Sequence, residues 1–228
     1  MRRGGPTRLG AGLIVLIMAV VIIGALVWAG RTFLGNNNSG GGEAEIDHGQ
    51  QLLDEPTETT AVRMSVRGPI TAQENHYSIA LTISSTARNL TIWRSYDGSV
   101  MTSENLTNSA ASFNDLLAAL NRASYMKEAR AEEENQGICA VGQLINFEIF
   151  EYQTDDQGET TEKLAKKLWT TSCNGLTGSF NGLTPNVIDL FLGQIPDARN
   201  RISAAKSVID QENRASIGSP WEGLDAFK

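Results

Sequence analysis

The chain has 228 residues, 41% of them apolar, 20% charged and 7% aromatic, with a formal net charge of −7. The charge is unevenly divided: residues 1–42 hold four arginines and no acid, while the remainder holds all 26 acids against 15 basic residues. An acidic body lacks the basic face that nucleic acid requires, two cysteines exclude a tetracysteine zinc site, and two histidines leave little for a metalloenzyme.

From Leu9 to Gly30 the chain runs for 22 residues without a charge. A helix rising about 1.5 Å per residue needs roughly 20 residues to cross the hydrocarbon, and only a helix or a closed barrel satisfies its backbone amides in lipid. Residues 9–30 are therefore expected to form a transmembrane helix. Arg2, Arg3 and Arg8 precede it and Arg31 alone follows it closely, which places residues 1–8 in the cytoplasm and the rest of the chain outside. Trp28 suits an interfacial anchor. A cleaved signal peptide, with Val27-Trp28-Ala29 as its processing site, is the competing interpretation. The apolar run is too long for that, because signal cores span roughly 7–15 residues. An uncleaved signal-anchor is favoured, and either route exports the body.

Residues 31–60, with Asn36-Asn37-Asn38-Ser39-Gly40-Gly41-Gly42 followed by acidic and polar residues, read as a flexible linker that cannot bury enough apolar area to fold. His48 within it is expected to be a solvated side chain.

Residues 61–214 have the length of one ordinary domain. Val62–Val66 suggests a first strand. Tyr77, Ile79, Leu81 and Ile83 alternate with small polar residues, the period of a half-buried strand. Leu90, Ile92 and Tyr96 continue the pattern on a second strand, and the short separation predicts a hairpin. Phe113, Leu116, Leu117 and Leu120 give the stripe of an amphipathic helix, with Ser112 and Asp115 resembling a capping box. Gln143–Tyr152 reads as a strand, Asp155–Gly158 as a turn, and a return strand is expected from about Lys167. Thr184-Pro185 supplies an N-cap and first helical residue, with Ile188, Phe191, Leu192 and Ile195 as the buried stripe. Arg199–Asn213 suggests a further helix, and 215–228 a loose tail. The expected fold class is α+β: an N-terminal transmembrane helix plus one ectodomain of mainly antiparallel strands and two or three helices.

Cys139 and Cys173 are equidistant from residue 156, inside the predicted turn, so a hairpin folded about that turn brings them together at its open base. Outside the cytosol such a pair oxidises. A redox pair would favour close Cys-x-x-Cys spacing and a nucleophile needs a positioned base, so a structural disulfide is expected. His76, beside Glu74 and Asn75, is more readily a strand-edge histidine than a general base. Asn174-Gly-Leu-Thr, echoed at 181–184, is first a turn signal; it lacks the ending of a phosphate loop. Glu132–Glu134 and Asp155-Asp156 lack the spaced oxygens of a calcium loop. Asn89 and Asn105 begin glycosylation sequons, relevant only in a eukaryotic secretory pathway.

No catalytic, cofactor or metal motif is legible, so no catalytic residue, metal ligand or cofactor is assigned. Trp93, Arg94, Tyr96 and Trp169 are weighed as a recognition surface, with Trp93 and Arg94 the candidate binding residues. Alternation turns Trp93 away from the face of Leu90, Ile92 and Tyr96. There an exposed indole could stack on a sugar or anchor a protein; it could equally be covered by a helix.

Trp169-Thr-Thr-Ser-Cys173, Gly178-Ser-Phe-Asn-Gly182 and Leu190-Phe-Leu-Gly-Gln-Ile-Pro196 resemble segments of uncharacterised single-pass bacterial surface proteins. The resemblance implies an N-terminal anchor with an outward domain; it brings no activity and no functional residue. Together these features suggest a bitopic protein, held in the lipid bilayer through 9–30, whose disulfide-stapled domain binds a protein or envelope glycan. A tethered envelope hydrolase and a structural subunit of a membrane complex are the alternatives.

Overall fold

The computed structural model describes residues 47–129, 139–173 and 178–216. Residues 9–30, most of the 31–60 tract, Asn174–Thr177, Glu132–Glu134 and the tail beyond 216 lie outside the described residues. Among those described, no helix is long and apolar enough to cross a membrane.

The body is α+β. Six strands, β1 (Thr60–Arg67), β2 (Tyr77–Ser84), β3 (Ala87–Arg94), β4 (Ser99–Thr107), β5 (Leu144–Thr154) and β6 (Thr160–Thr171), form one antiparallel sheet in the order β4-β3-β2-β1-β5-β6. Among the described residues four α-helices accompany it: α1 (His48–Asp54), α2 (Ala110–Arg122), α3 (Thr184–Leu192) and α4 (Ala198–Ser216).

Period-two alternation gives the sheet two unlike faces. On one, Met64 of β1, Leu81 of β2, Leu90 of β3 and Phe147 of β5 are buried with Leu117 and Leu120 of α2 and Phe191 of α3. The other face carries Ser65, Ala80, Thr82 and Thr91 at the alternate positions of the same strands.

The structure departs from the sequence expectations at several points. The end of the 31–60 tract is not coil. Asp47 caps α1 by accepting from the Gln50 amide at 3.0 Å and pairs with Lys166, while Leu53 is buried. A Cβ on Gly49 would lie 2.4 Å from the Lys166 Cβ, so this short helix rests on β6 through a residue without a side chain. His48 is exposed, as expected.

α2 begins one turn earlier than the capping pattern suggested. Ser109, not Ser112, is its N-cap, accepting from the Ser112 amide at 3.2 Å. In α3, Thr184 is already helical and Leu183 occupies the cap position without a side-chain bond. The buried stripe there is Val187 and Phe191, continued by Ile195, so Ile188 and Leu192 sit at its margins. β6 starts at Thr160 rather than near Lys167, because its first half is an exposed edge with no apolar face to announce it.

Beyond α2 the chain turns under the sheet, and Tyr125 is completely buried there. Its hydroxyl contacts two carbonyls directly paired across β1 and β5, Arg63 at 3.1 Å and Glu148 at 2.8 Å. Burial, followed by the nearby Glu148 carboxylate, raises this phenol well above its ordinary value of 10.0. A raised folded-state pKa means that folding favours the protonated form. The associated stability is full below pH 10 and is lost as pH climbs through the folded value. Tyr125→Phe is expected to lower stability by about 1–2 kcal/mol at neutral pH, and to flatten the decline of the urea midpoint above pH 10. An equally steep decline in both proteins would show that other groups drive alkaline unfolding.

Candidate functional site

The open face of the sheet is a trough of 680 Å³. Its shape follows from side-chain size. Registered neighbours Thr91, Ala80, Ser65 and Asn146 form one row across β3, β2, β1 and β5. These floor residues are small except for the last, so the chain of larger groups around them stands above the floor as walls.

One wall is aromatic. Trp93 stands opposite Ser78 on β2, and both line the trough with His76 and Tyr96. Tyr96 does not continue β3 as its spacing suggested. The strand ends at Arg94, Ser95 takes a positive φ of 58°, and Tyr96 falls in the following turn. There it stacks on His76 with ring centres 3.9 Å apart and planes 13° from parallel. His76 is 4% exposed, and its Nδ1 lies 3.3 Å from the Pro69 carbonyl, an arrangement that requires the proton on Nδ1. This histidine is more deeply placed than a strand-edge residue.

The opposite wall is ionic. Arg63 donates to Thr82 Oγ1 at 3.1 Å, pairs with Glu162, and lies 3.5 Å from Glu148. Its guanidinium also covers the Phe150 ring, 4.5 Å from the centroid. Lys167 approaches the same Glu148 carboxylate at 3.9 Å. Although burial alone would lower the Arg63 pKa, the bond and charge of Glu162 and the charge of Glu148 raise it, so the group stays a cation that holds both acids. Tyr152 lines this end too, and burial followed by the Glu162 charge raises its phenol.

Apart from Ala80, the floor residues are polar and partly bonded among themselves. Asn146 donates from Nδ2 to Ser65 Oγ at 3.3 Å, and its buried Oδ1 has no hydrogen-bond partner. Asn89 and Asn105, the two sequon asparagines, are cross-strand partners at the β3–β4 side of the trough.

Trp93 and Arg94 are separated by the sheet. Trp93 faces the trough, whereas Arg94 points to the other side and donates from Nε to the Glu74 carbonyl at 3.2 Å. Cys139 and Cys173 form a disulfide with S–S 2.04 Å and Cα–Cα 5.7 Å. The hairpin register is offset from the expected midpoint. Thr154 pairs with Thr160 and Leu144 with Thr171, with an irregularity between Ile149 and Phe150. Continuing that register, Gly142 rather than Cys139 lies opposite Cys173, and Cys139 reaches back along the turn of 139–142. Asp155 organises the hairpin tip by accepting from the amides of Gln157 and Glu159 at 2.9 and 2.8 Å. Among the described residues, no group of three histidine, cysteine or acidic side chains could hold a metal ion.

Alternation in the sequence places Trp93 on this face of the sheet; the small polar floor, the His76–Tyr96 stack and the Arg63–Glu148–Glu162 wall are not legible in it. The available signal was the repetition of Ser, Thr and Ala at alternate positions of β2 and β3, which acquires meaning only when the strands are set side by side. No family model matches this chain, and no curated protein matches it.

Proposed function

We propose that this protein is a membrane-tethered extracytoplasmic binding module whose trough takes an envelope glycan. The trough carries this proposal: an indole wall stands beside a hydroxyl and amide floor. A saccharide presents an apolar C–H face that stacks on an aromatic ring and an edge of hydroxyls that both donate and accept. Trp93 and Tyr96 suit the first, and Ser65, Ser78, Thr82 and Thr91 suit the second. Asn146 lines the same floor, and its side-chain amide can both donate and accept.

Export and tethering are supported by the uncharged 9–30 segment with its arginine asymmetry and by the Cys139–Cys173 bridge, which suits an oxidising compartment. The hydrolase alternative is less well supported at this site. Glycoside hydrolysis requires two carboxyl groups flanking the scissile bond, whereas Glu148 and Glu162 are bound to Arg63.

The test is calorimetric titration of the full chain in nanodiscs with solubilised envelope glycan fragments. Saturable binding is expected, and Trp93→Ala should weaken it by about tenfold or more, the range of a central aromatic contact. Asn146→Ala should weaken it further in combination. Absence of saturable binding, or binding indifferent to both substitutions, would overturn the glycan assignment.

A further inference from the structure

We infer that the Cys139–Cys173 disulfide is a positioning device for the aromatic wall of the trough, in addition to being a staple of the β5–β6 hairpin. The coupling runs through the segment 68–72, which links β1 to the turn before β2. Ala140, next to the bridged Cys139, accepts a hydrogen bond from the Ile70 amide at 2.8 Å. The preceding residue, Pro69, offers its carbonyl to His76 Nδ1. The following one, Thr71, is held twice by the Tyr96 hydroxyl, which accepts from the Thr71 amide at 3.2 Å and donates to the Thr71 carbonyl at 3.0 Å. His76 and Tyr96 complete the circuit by stacking.

A second line of contact starts on the same turn. Gln143 donates from Nε2 to the Tyr77 hydroxyl at 2.9 Å, its amide donates to Ser172 Oγ at 2.8 Å, and the Gly68 amide bonds the Tyr77 carbonyl at 3.0 Å. Thus the bridge fixes the turn 139–142, the turn fixes 68–72, and 68–72 fixes the two rings lining the trough. Ile70 is 48% exposed, so its apolar side chain contributes little to holding this segment. With few apolar contacts, a segment opens locally at low free energy unless hydrogen bonds restrain it.

Reduction by a dithiol transfers two electrons and two protons to the bridge, giving two thiols as the reagent closes its own disulfide. The turn 139–142 then loses its covalent anchor while the core face of the sheet keeps its packing. The consequence for ligand affinity rests on the glycan proposal above, but the consequence for the wall does not.

The experiment is hydrogen–deuterium exchange on the full chain, oxidised and reduced, without ligand. The amides of Gly68, Ile70, Thr71 and Ala72 and of 95–98 are expected to exchange at least tenfold faster after reduction, with the β2 and β5 core amides unchanged. Unchanged exchange at 68–72 would overturn the inference, whatever the glycan titrations show. If reduction opens the core as well, Tyr96→Phe with the bridge intact isolates the coupling. Loss of its two bonds to Thr71 should accelerate 68–72 exchange at least tenfold and spare the β5 amides. Undisturbed 68–72 amides in that variant would equally overturn the inference. If glycan binding is established and the wall loosens as expected, the reduced protein should bind the same fragments at least tenfold more weakly.

Discussion

Phe147→Ala is expected to lower the unfolding free energy by about 3–5 kcal/mol, the range for truncating a buried aromatic ring. Phe147 has no exposed surface and stands where three parts of the fold meet. It is edge-on to Tyr125 with ring centres 5.8 Å apart, and 4.5 Å from Phe180, which belongs to the segment following the hairpin. On β5 it is the registered partner of Met64 on β1 and of Leu168 on β6, both buried. Neighbours drawn from separate elements cannot all close over a lost ring, so much of the cavity should remain. Urea denaturation followed by circular dichroism measures the effect, with Leu81→Ala, also fully buried, expected to cost about 2–5 kcal/mol. A change below about 1 kcal/mol at Phe147 would mean that the site collapses or that the ring is not at the centre of the core.

The parts of this fold legible in sequence are those where a single face meets the core. β2 and α2 displayed their periods because Ile79, Leu81 and Ile83, or Phe113, Leu116 and Leu120, fall on one buried face. β4 displayed nothing: none of its residues is buried. It is an edge held by β3 on one side and by side chains such as Glu104, which pairs with Arg201 of α4 at 2.9 Å. α1 was hidden for a related reason. Seven residues are too few for intrinsic helicity, and what stabilises this helix is the Asp47 cap and its seat on β6, a contact with residues more than a hundred positions away.

The same distinction governs the site. The cysteines could be paired because both flank one hairpin, so a local turn was enough to relate them. The floor of the trough depends on lateral neighbours from four strands, and their order is a property of the topology. Trp93 could be assigned to the face opposite Leu90 and Ile92 from alternation alone. Arg94 was joined to it only by sequence adjacency, and adjacency in a strand means opposite faces. Tyr96 was misplaced because alternation was continued past a residue, Ser95, whose positive φ ends the strand.

The bridge itself depends on a glycine. A Cβ on Gly142 would lie 2.8 Å from each of the Cys139 and Cys173 sulfurs and 2.7 Å from Ser172 Oγ. Neither sulfur is the free end of a flexible side chain; both are bonded to each other, so the crowding cannot be relieved by one rotation. Gly142→Ala is therefore expected to hinder closure of the bridge while leaving both cysteines in the sequence. It should forfeit much of the stabilisation that a loop of this size provides, about 2–4 kcal/mol. Thiol labelling of the folded protein, read by mass, should find two reactive sulfhydryls in a substantial fraction of Gly142→Ala molecules and none in the parent. The double variant Cys139→Ser/Cys173→Ser supplies the reference. If Gly142→Ala destabilises only by preventing the bridge, adding it to the double variant should bring little further loss, because the two changes act on one interaction. A further loss as large as the first would mean that the glycine serves the turn 139–142 directly, through Ser172 and the Gln143 amide that bonds it, and that the bridge tolerates the methyl group.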